Sequence, residues 1–500
     1  MSISLFSVAI FALFATVLAI EVYKGANKGL LKALITLGTI FVGILASVTA
    51  TPIVSYLLAR LAEKYLLQFL PIYNQYLKLV KQFGSVRELG IALASMVLGL
   101  LIFWVMFVVF RVAFGTFFGL IYKLFVHRRK DDVGYCKEKK SAFYRRDRVL
   151  GGVVGAFSAV LLTTVMIAPV MGVFDTYDRA YATFEIVGED LLARVKIDKN
   201  EMRNLRKYND DICGKVFYEM GGKHIYRQLT SSTLYSEKVY LLDELDTIHA
   251  ATVQVMDTYE AMPNPKTATP EDADKIRALG ASIVELKLTK GLLADLVSVS
   301  ANAWLDGKTV FGVAKPKLPS LISQPFDDVI EICAETNPNS ISYNLSTVFN
   351  LYALAIDTNL FNVDFTDFES AFKFVNETQI IERINEEISK NRYMKHIRLT
   401  SITMAAVAQQ LNGDMLSEEE FDKLSGNLAA AINSVNDRGY ATPEERVGAL
   451  STYAKDYILE AGIDVPDSVV DAVAEELMAE FPEGDITAED IKNLFDKYAK

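Results

Sequence analysis

Four long runs without a charged residue dominate the first third of the chain: Ile3–Ile20, Ala33–Ala59, Leu89–Phe110 and Val149–Phe174. At about 1.5 Å of rise per residue the shortest covers roughly 27 Å, close to the ~30 Å hydrocarbon thickness of a bilayer. One such run would fit a buried helix of a globular core. Four within 174 residues argue for membrane spans. The second run exceeds what a span needs, and Pro52 is expected to end or kink its helix near Thr51. Arg60, Glu63 and Lys64 then carry the chain into the interface.

From Asp175 onward the pattern is helical and water-soluble. "SEKVYLLDELDTIHAATVQVMDTYEAM" places Val239, Leu242, Leu245, Thr252, Met256 and Tyr259 at helical spacing. After "MPNPKTATPEDADK", with Thr269 as cap, Pro270 in the first turn and Asp272 closing a capping box, a second long helix is expected to run to Trp304. It carries Ile276, Leu279, Ile283, Leu286 and Leu293, and the two should form an antiparallel hairpin. Further helix starts are signalled at Ser417–Glu420, Thr442–Glu445 and Thr487–Asp490. Strand alternation is scarce. The proline-rich stretch 307–325 either separates two subdomains or is a long loop within one. The expected fold class is all-α, a four-span transmembrane bundle followed by a large all-helical extracytoplasmic domain. Its regions are 1–174, 175–306 with the helical hairpin, and 326–500.

Composition sharpens this picture through its unevenness. The chain is 51% hydrophobic with mean hydropathy +0.21, yet 23% charged. Residues 1–174 hold 19 Lys and Arg against 7 Asp and Glu, whereas the remainder holds 32 against 55. An acidic larger part repels phosphate, so nucleic acid is not an expected partner. Lys24, Lys28 and Lys32 lie between the first two spans, and ten Lys and Arg lie in the segment 123–148. Both loops should face the cytoplasm by the positive-inside tendency, which puts residues 175–500 outside the cell membrane. No Lys or Arg precedes the first run, which is the wrong flank for a cleaved signal.

The stretch "YKGANKGLLKALITLGTIFVGILA" (23–46) spaces small residues and lysines four apart. A helix beginning near Ala26 and continuing into the second span would set Lys28 and Lys32 on one stripe and Gly25, Gly29 and Ala33 on its neighbour. The lysine stems would reach back to headgroups, and the small residues would let another helix approach closely. Similar spacing recurs at Ser95/Gly99, Gly115/Gly119 and Gly151/Gly155.

These residues carry a family likeness. "KGANKGLLKALITLGTIFVGILA", a third apolar span and then "RDRVLGGVVGAFSAVLL" resemble the colicin V production (CvpA) family of bacterial inner-membrane proteins, over roughly residues 1–174. The matching positions are Gly25, Gly29 and Gly38, then Asp147, Arg148, Gly151 and Gly155. The chain departs from the family where an acidic residue often stands early in the first span, having Ser2 and Ser4. It departs again where an Arg-Gly pair often lies in the fourth span, having Ser158 and Ala159. The resemblance implies a multi-pass inner-membrane protein connected with colicin V (toxin) production or export and with envelope integrity. It implies no catalytic residue.

Candidate chemistry is otherwise sparse. No Gly-x-Ser-x-Gly elbow, His-Glu-x-x-His helix, Cys-x-x-Cys pair or complete phosphate-binding Gly-x-x-x-x-Gly-Lys-Ser/Thr loop is present, so neither an enzyme nor a cofactor is expected. His127, His224, His249 and His396 are scattered, and Cys136, Cys213 and Cys333 lack metal spacing. "NGDMLSEEE" and "EGDITAEDI" offer too few oxygens for calcium and read as helix caps. Arg111 is read as snorkelling to the cytoplasmic interface, with "RVAFGTFFGLIYKLF" lying along the membrane, rather than as a charge on a polar path shared with Glu21. Thr36, Thr39, Ser47, Thr163 and Thr164 are expected to hydrogen-bond between helices. The expected partners are the lipid bilayer and a protein of the envelope or a second copy. The expected role is a membrane anchor for an interaction domain. The alternative is a channel or transporter component with the outer domain as gate or receptor.

Overall fold

The computed structural model describes residues 5–65, 67–69, 73–130, 142–187, 206–261, 265–310, 314–315, 320–363, 374, 377–395, 397, 417–440, 442–461 and 467–499. Ser2, Ser4, Cys136, His396, Pro316 and Pro319 lie outside them. Four helices are long and apolar enough to cross a bilayer: α1 (Leu5–Lys28), α2 (Leu30–Tyr65), α4 (Val86–Lys130) and α5 (Ala142–Val187). Between α2 and α4 lies the short amphipathic α3 (Tyr73–Gln82). The chain divides into two compact units, one of residues 1–256 with 285–292, the other of 257–284 with 293–500.

In the first unit α2 pairs along its length with α4 and α1 pairs with α5, while α2 and α5 lie against each other between them. Both pairs are antiparallel. Lys32 lies over the Tyr122 ring at one end of the α2–α4 pair, and Arg87 holds Glu63 at 3.0 and 3.1 Å at the other. Phe6 meets Phe174 at one end of α1–α5, and Gly25 meets Gly151 at the other. Several expected boundaries shift. The chain does not run helically from Ala26 into the second span, because Gly29 breaks it at φ +75°. Lys28 therefore ends α1 and Lys32 belongs to α2. Pro52 does not end α2, which continues through it to Tyr65. Nor does α4 turn aside at Arg111. It stays on α2 as far as Tyr122.

After α5 come two short helices, α6 (Ile212–Phe217) and α7 (Lys223–Leu229), joined by one π turn, Tyr218–Gly222. An antiparallel hairpin of β1 (Ser231–Leu234) and β2 (Glu237–Tyr240) follows, with Leu234 paired to Glu237. Its two-residue loop, Tyr235 and Ser236, has φ of 48° and 67°. A primed turn requires left-handed backbone at both positions and usually takes Asn or Gly there, so a Tyr-Ser turn hid the hairpin from the sequence. Val239 is accordingly a strand residue, and the helix expected to include it, α8 (Leu241–Ala261), starts two residues later.

The second unit is helical throughout its described residues. The long helix expected over 270–304 is two helices, α9 (Pro270–Val284) and α10 (Lys290–Leu305), and α9 packs on α12 (Ile341–Asp357). Ala273 and Ile276 meet Ala353 and Ile356 there, and a Cβ on Gly280 would stand 2.7 Å from Phe349. Between them in sequence, α11 (Ser320–Ala334) includes Pro325, so the proline-rich break is shorter than expected. A buried polar knot joins α12 to the turn after α13 (Ile380–Ser389). Asn391 Nδ2 donates to Asn344 Oδ1 and Thr347 Oγ1, both at 3.1 Å. The last four helices are α14 (Glu418–Asp437), α15 (Pro443–Ala461), α16 (Asp467–Glu480) and α17 (Ala488–Ala499). They enclose Ile432, Leu450, Leu477, Ile491 and Phe495. Their caps form as signalled: Ser417 and Glu420 make a reciprocal capping box, and Asp490 accepts from the Thr487 N–H at 2.8 Å.

Glu244 ties residues 285–292 into the first unit. Its carboxylate is buried, and Oε1 accepts the N–H groups of Lys287 (2.8 Å) and Leu288 (2.7 Å). Burial lifts its pKa above the ordinary Glu value despite these donors. A folded-state pKa above the unfolded one stabilises the fold at low pH, and this contribution is lost as pH rises from the ordinary value through the raised one. Glu244→Gln keeps an acceptor and should remove that dependence. Glu244→Ala leaves the buried Leu288 N–H and the part-buried Lys287 N–H without their acceptor and should cost about 1–3 kcal/mol for the buried one. Thermal unfolding of the three proteins from about pH 4 to pH 8 checks both.

Candidate functional site

The two glycine motifs meet at one corner of the first unit. Alpha-helical backbones can touch only where side chains are missing, and here a Cβ on Gly25 would lie 2.2 Å from the Gly151 carbonyl oxygen. A Cβ on Gly151 would lie 2.4 Å from the Gly25 oxygen, and one on Gly155 2.2 Å from the Glu21 oxygen. Gly29 makes the α1–α2 turn. Its positive φ is costly for any residue with a side chain, and a Cβ there would stand 2.2 Å from Asp147 Oδ2. Asp147 Oδ1 accepts the Leu30 N–H at 2.9 Å, capping α2 where its exposed N–H groups and dipole favour a carboxylate. Arg148 donates to Asn27 Oδ1 at 3.1 Å. Six of the seven motif residues thus form one clasp. Gly38 is the exception, exposed on α2 with nothing within 4 Å of a Cβ.

A second feature runs along the α2–α4 seam. Thr39, Gly43, Ser47, Thr51 and Ser55 recur every four residues on α2 and are all buried. They face Ser95, Gly99, Phe103, Phe107, Arg111 and Gly115 on α4, also four apart. A Cβ on Gly43 would meet Arg111 Cα at 3.6 Å, and one on Gly115 would meet Thr39 at 3.7 Å. Gly43 lies about 16 Å along α2 from Lys32 and about 30 Å from Glu63, so half-buried Arg111 sits well inside the apolar stretch. Among the described residues it makes no hydrogen bond or ion pair. Glu21 does not serve it, being paired with Lys24 at 3.2 Å.

Most of the in-span hydroxyls bond within their own helices rather than between helices. Thr36 donates to Lys32 O (2.9 Å), Thr39 to Ile35 O (2.8 Å), Ser47 to Ile44 O (2.9 Å) and Ser158 to Val154 O (3.2 Å). A hydroxyl one turn from a carbonyl finds it without help from another helix. Thr163 Oγ1 and Thr51 Oγ1 are buried with no partner among the described residues.

The third feature, a collar, was missed in the sequence. Segment 211–240 packs on the ends of the spans opposite the clasp. Tyr226 covers Gly172, where a Cβ would stand 2.0 Å from its ring, and its hydroxyl pairs with Thr176 at 2.7 Å. Burial pushes its pKa up to about 12. The Leu229 carbonyl fills the space beside Gly99, and Ser95 donates to Ser232 at 2.9 Å. The Ser95/Gly99 pair therefore receives the collar at its tightest contact, with Ser55 of α2 at 3.7 Å from a Cβ on Gly99. Asp175 accepts from Tyr218 (2.9 Å) and Arg179 (3.0 Å), and Arg179 also holds Asp246. The available signal was Gly172 and Gly214, which stand in no motif but mark close approach.

Comparisons of the chain with family models, with curated proteins and with solved structures gave no match. Among the described residues no group of three or more His, Cys, Asp or Glu could hold a metal.

The clasp makes a graded prediction. Gly25→Leu and Gly151→Leu should separate α1 from α5, and Gly29→Ala should strain the turn by about 1–3 kcal/mol. Gly38→Ala, with open space for its Cβ inside a helix, should cost nothing and raise stability by up to about 1 kcal/mol. Thermal unfolding of the detergent-solubilised variants measures the order.

Proposed function

We propose that this chain is a multi-pass protein of the bacterial cell membrane, of the colicin V production kind, whose four spans anchor a helical interaction domain on the extracytoplasmic side. Its work is to support secretion or envelope maintenance through a protein partner. The observation that carries this reading is the collar. Through Tyr226 on Gly172, Ser232 on Ser95 and the Asp175–Arg179–Asp246 ion pairs, the segment that follows the last span, as far as Asp246, is fastened to the bundle rather than hung from it. Such an attachment suits a scaffold that must hold a partner at a set position. The proposed orientation is supported by exposed Lys24, Lys28, Lys32, Arg145, Arg146 and Arg148, which gather at the clasp end.

Photo-crosslinking residues introduced at exposed Tyr453 in α15 and exposed Phe117 in α4 of the full chain test the assignment of roles. Specific capture in membranes is expected from position 453. Capture from position 117 alone would move the working part to the bundle. For orientation, a membrane-impermeant thiol reagent applied to intact cells should label a cysteine placed at 453 and miss Cys136.

Arg111 favours the second reading, a channel or transporter component. A cation inside the apolar stretch with no acid beside it is costly and marks ion or substrate pathways in membrane proteins. Under the scaffold reading Arg111→Leu leaves partner capture intact. Anion flux in proteoliposomes that is lost in Arg111→Leu and kept in Arg111→Lys would establish the alternative.

A further inference from the structure

Beside the clasp, α1 and α5 leave a shallow groove of about 450 Å³ lined by Val22, Ala26, Val149, Gly152, Val153 and Ala156, with Arg148 at its end. The lining is almost wholly apolar. The groove exists because Ala26 and Gly152 are short: a Cβ on Gly152 would find Val22 only at 3.7 Å. Around that end of the two helices Lys24, Lys28, Arg145, Arg146 and Arg148 are all exposed. The two acids nearby are already engaged. Glu21 is buried and pairs with Lys24, and Asp147 caps α2. A shallow apolar groove about two helical turns long thus opens under a rim of net positive charge.

We propose that this groove seats one acyl chain of an anionic phospholipid, whose headgroup phosphate is held by the cationic rim. The inference rests on reading the four helices as membrane spans. Charge complementarity selects the occupant. Basic pockets between helices at a membrane surface attract anionic headgroups, and each cation near the surface contributes about a fivefold preference. A second copy docked side by side would bring the same five cations to the same rim and be repelled.

The test uses the full-length protein, purified in detergent and reconstituted in nanodiscs of equal phosphatidylglycerol and phosphatidylcholine, with lipids retained on re-extraction weighed by native mass spectrometry. Phosphatidylglycerol should be retained in preference. The double variant Arg145→Gln, Arg146→Gln should lower that preference by at least about fivefold while total lipid stays. Gly152→Leu, which fills the groove, should abolish the tightly held lipid. Because Gly152→Leu could disturb α1–α5 packing, Ala156→Leu one turn further on provides an independent block. Glycerol phosphate without chains should not compete. Equal retention of the two lipids, variants that behave as the parent, displacement by glycerol phosphate alone, or a second copy found crosslinked through Val149→Cys would each overturn the proposal. A protein that stays monodisperse with neither detergent nor lipid would instead overturn the membrane reading itself.

Discussion

Backbone contact between α1 and α5 at Gly25, Gly151 and Gly155 is the constraint on which the first unit depends. In hydrocarbon no hydrophobic force drives helices together, because lipid tails are as apolar as Leu, so association rests on close packing. Three glycines bring two main chains within reach of each other along one turn and a half. The same corner carries the Gly29 turn and the Asp147 cap, so the path of the chain from α1 into α2 and the start of α5 are set together. A side chain added at any of these positions would force apart both the helices and the turn.

The interior of the bundle obeys a second rule, that polar atoms away from water need partners. Most in-span hydroxyls turn back on a carbonyl of their own helix, which satisfies them but adds no tie between helices. Packing therefore carries the span pairs, with the Ser95–Ser232 bond between α4 and β1 a cross-element exception. Arg111 stands apart from this economy. Its position opposite Gly43 follows from the four-residue repeat on both helices, so the residue that narrows the seam on one side faces the one charge within the other.

At the far end the collar converts bare span ends into a closed polar rim. Tyr226 places its ring on Gly172 and its hydroxyl on Thr176, an apolar body and polar tip each finding a matching surface. Asp175 and Arg179 lie one turn apart on α5 just beyond its apolar stretch, and Tyr218 and Asp246 complete their bonding. Where α5 leaves the apolar region it is therefore met by protein on its inner side.

The features legible in the sequence were those written in local periodicity. The four charge-free runs, the Ser417 and Thr487 caps and Pro270 in a first turn are each visible within a few residues, and helices stand at all of them. What stayed hidden depended on partners distant in the chain. The Gly29 break needs Asp147 to cap α2 from 117 residues away. The Tyr235–Ser236 turn lacks the usual turn residues, and the partner of α9 proved to be α12. By itself the sequence determined which segments are apolar helices, since hydrophobic spacing is a property of the chain alone. Only the tertiary structure decided which glycine meets which backbone, which hydroxyl turns inward and where Arg111 comes to rest, because those depend on which surfaces arrive together.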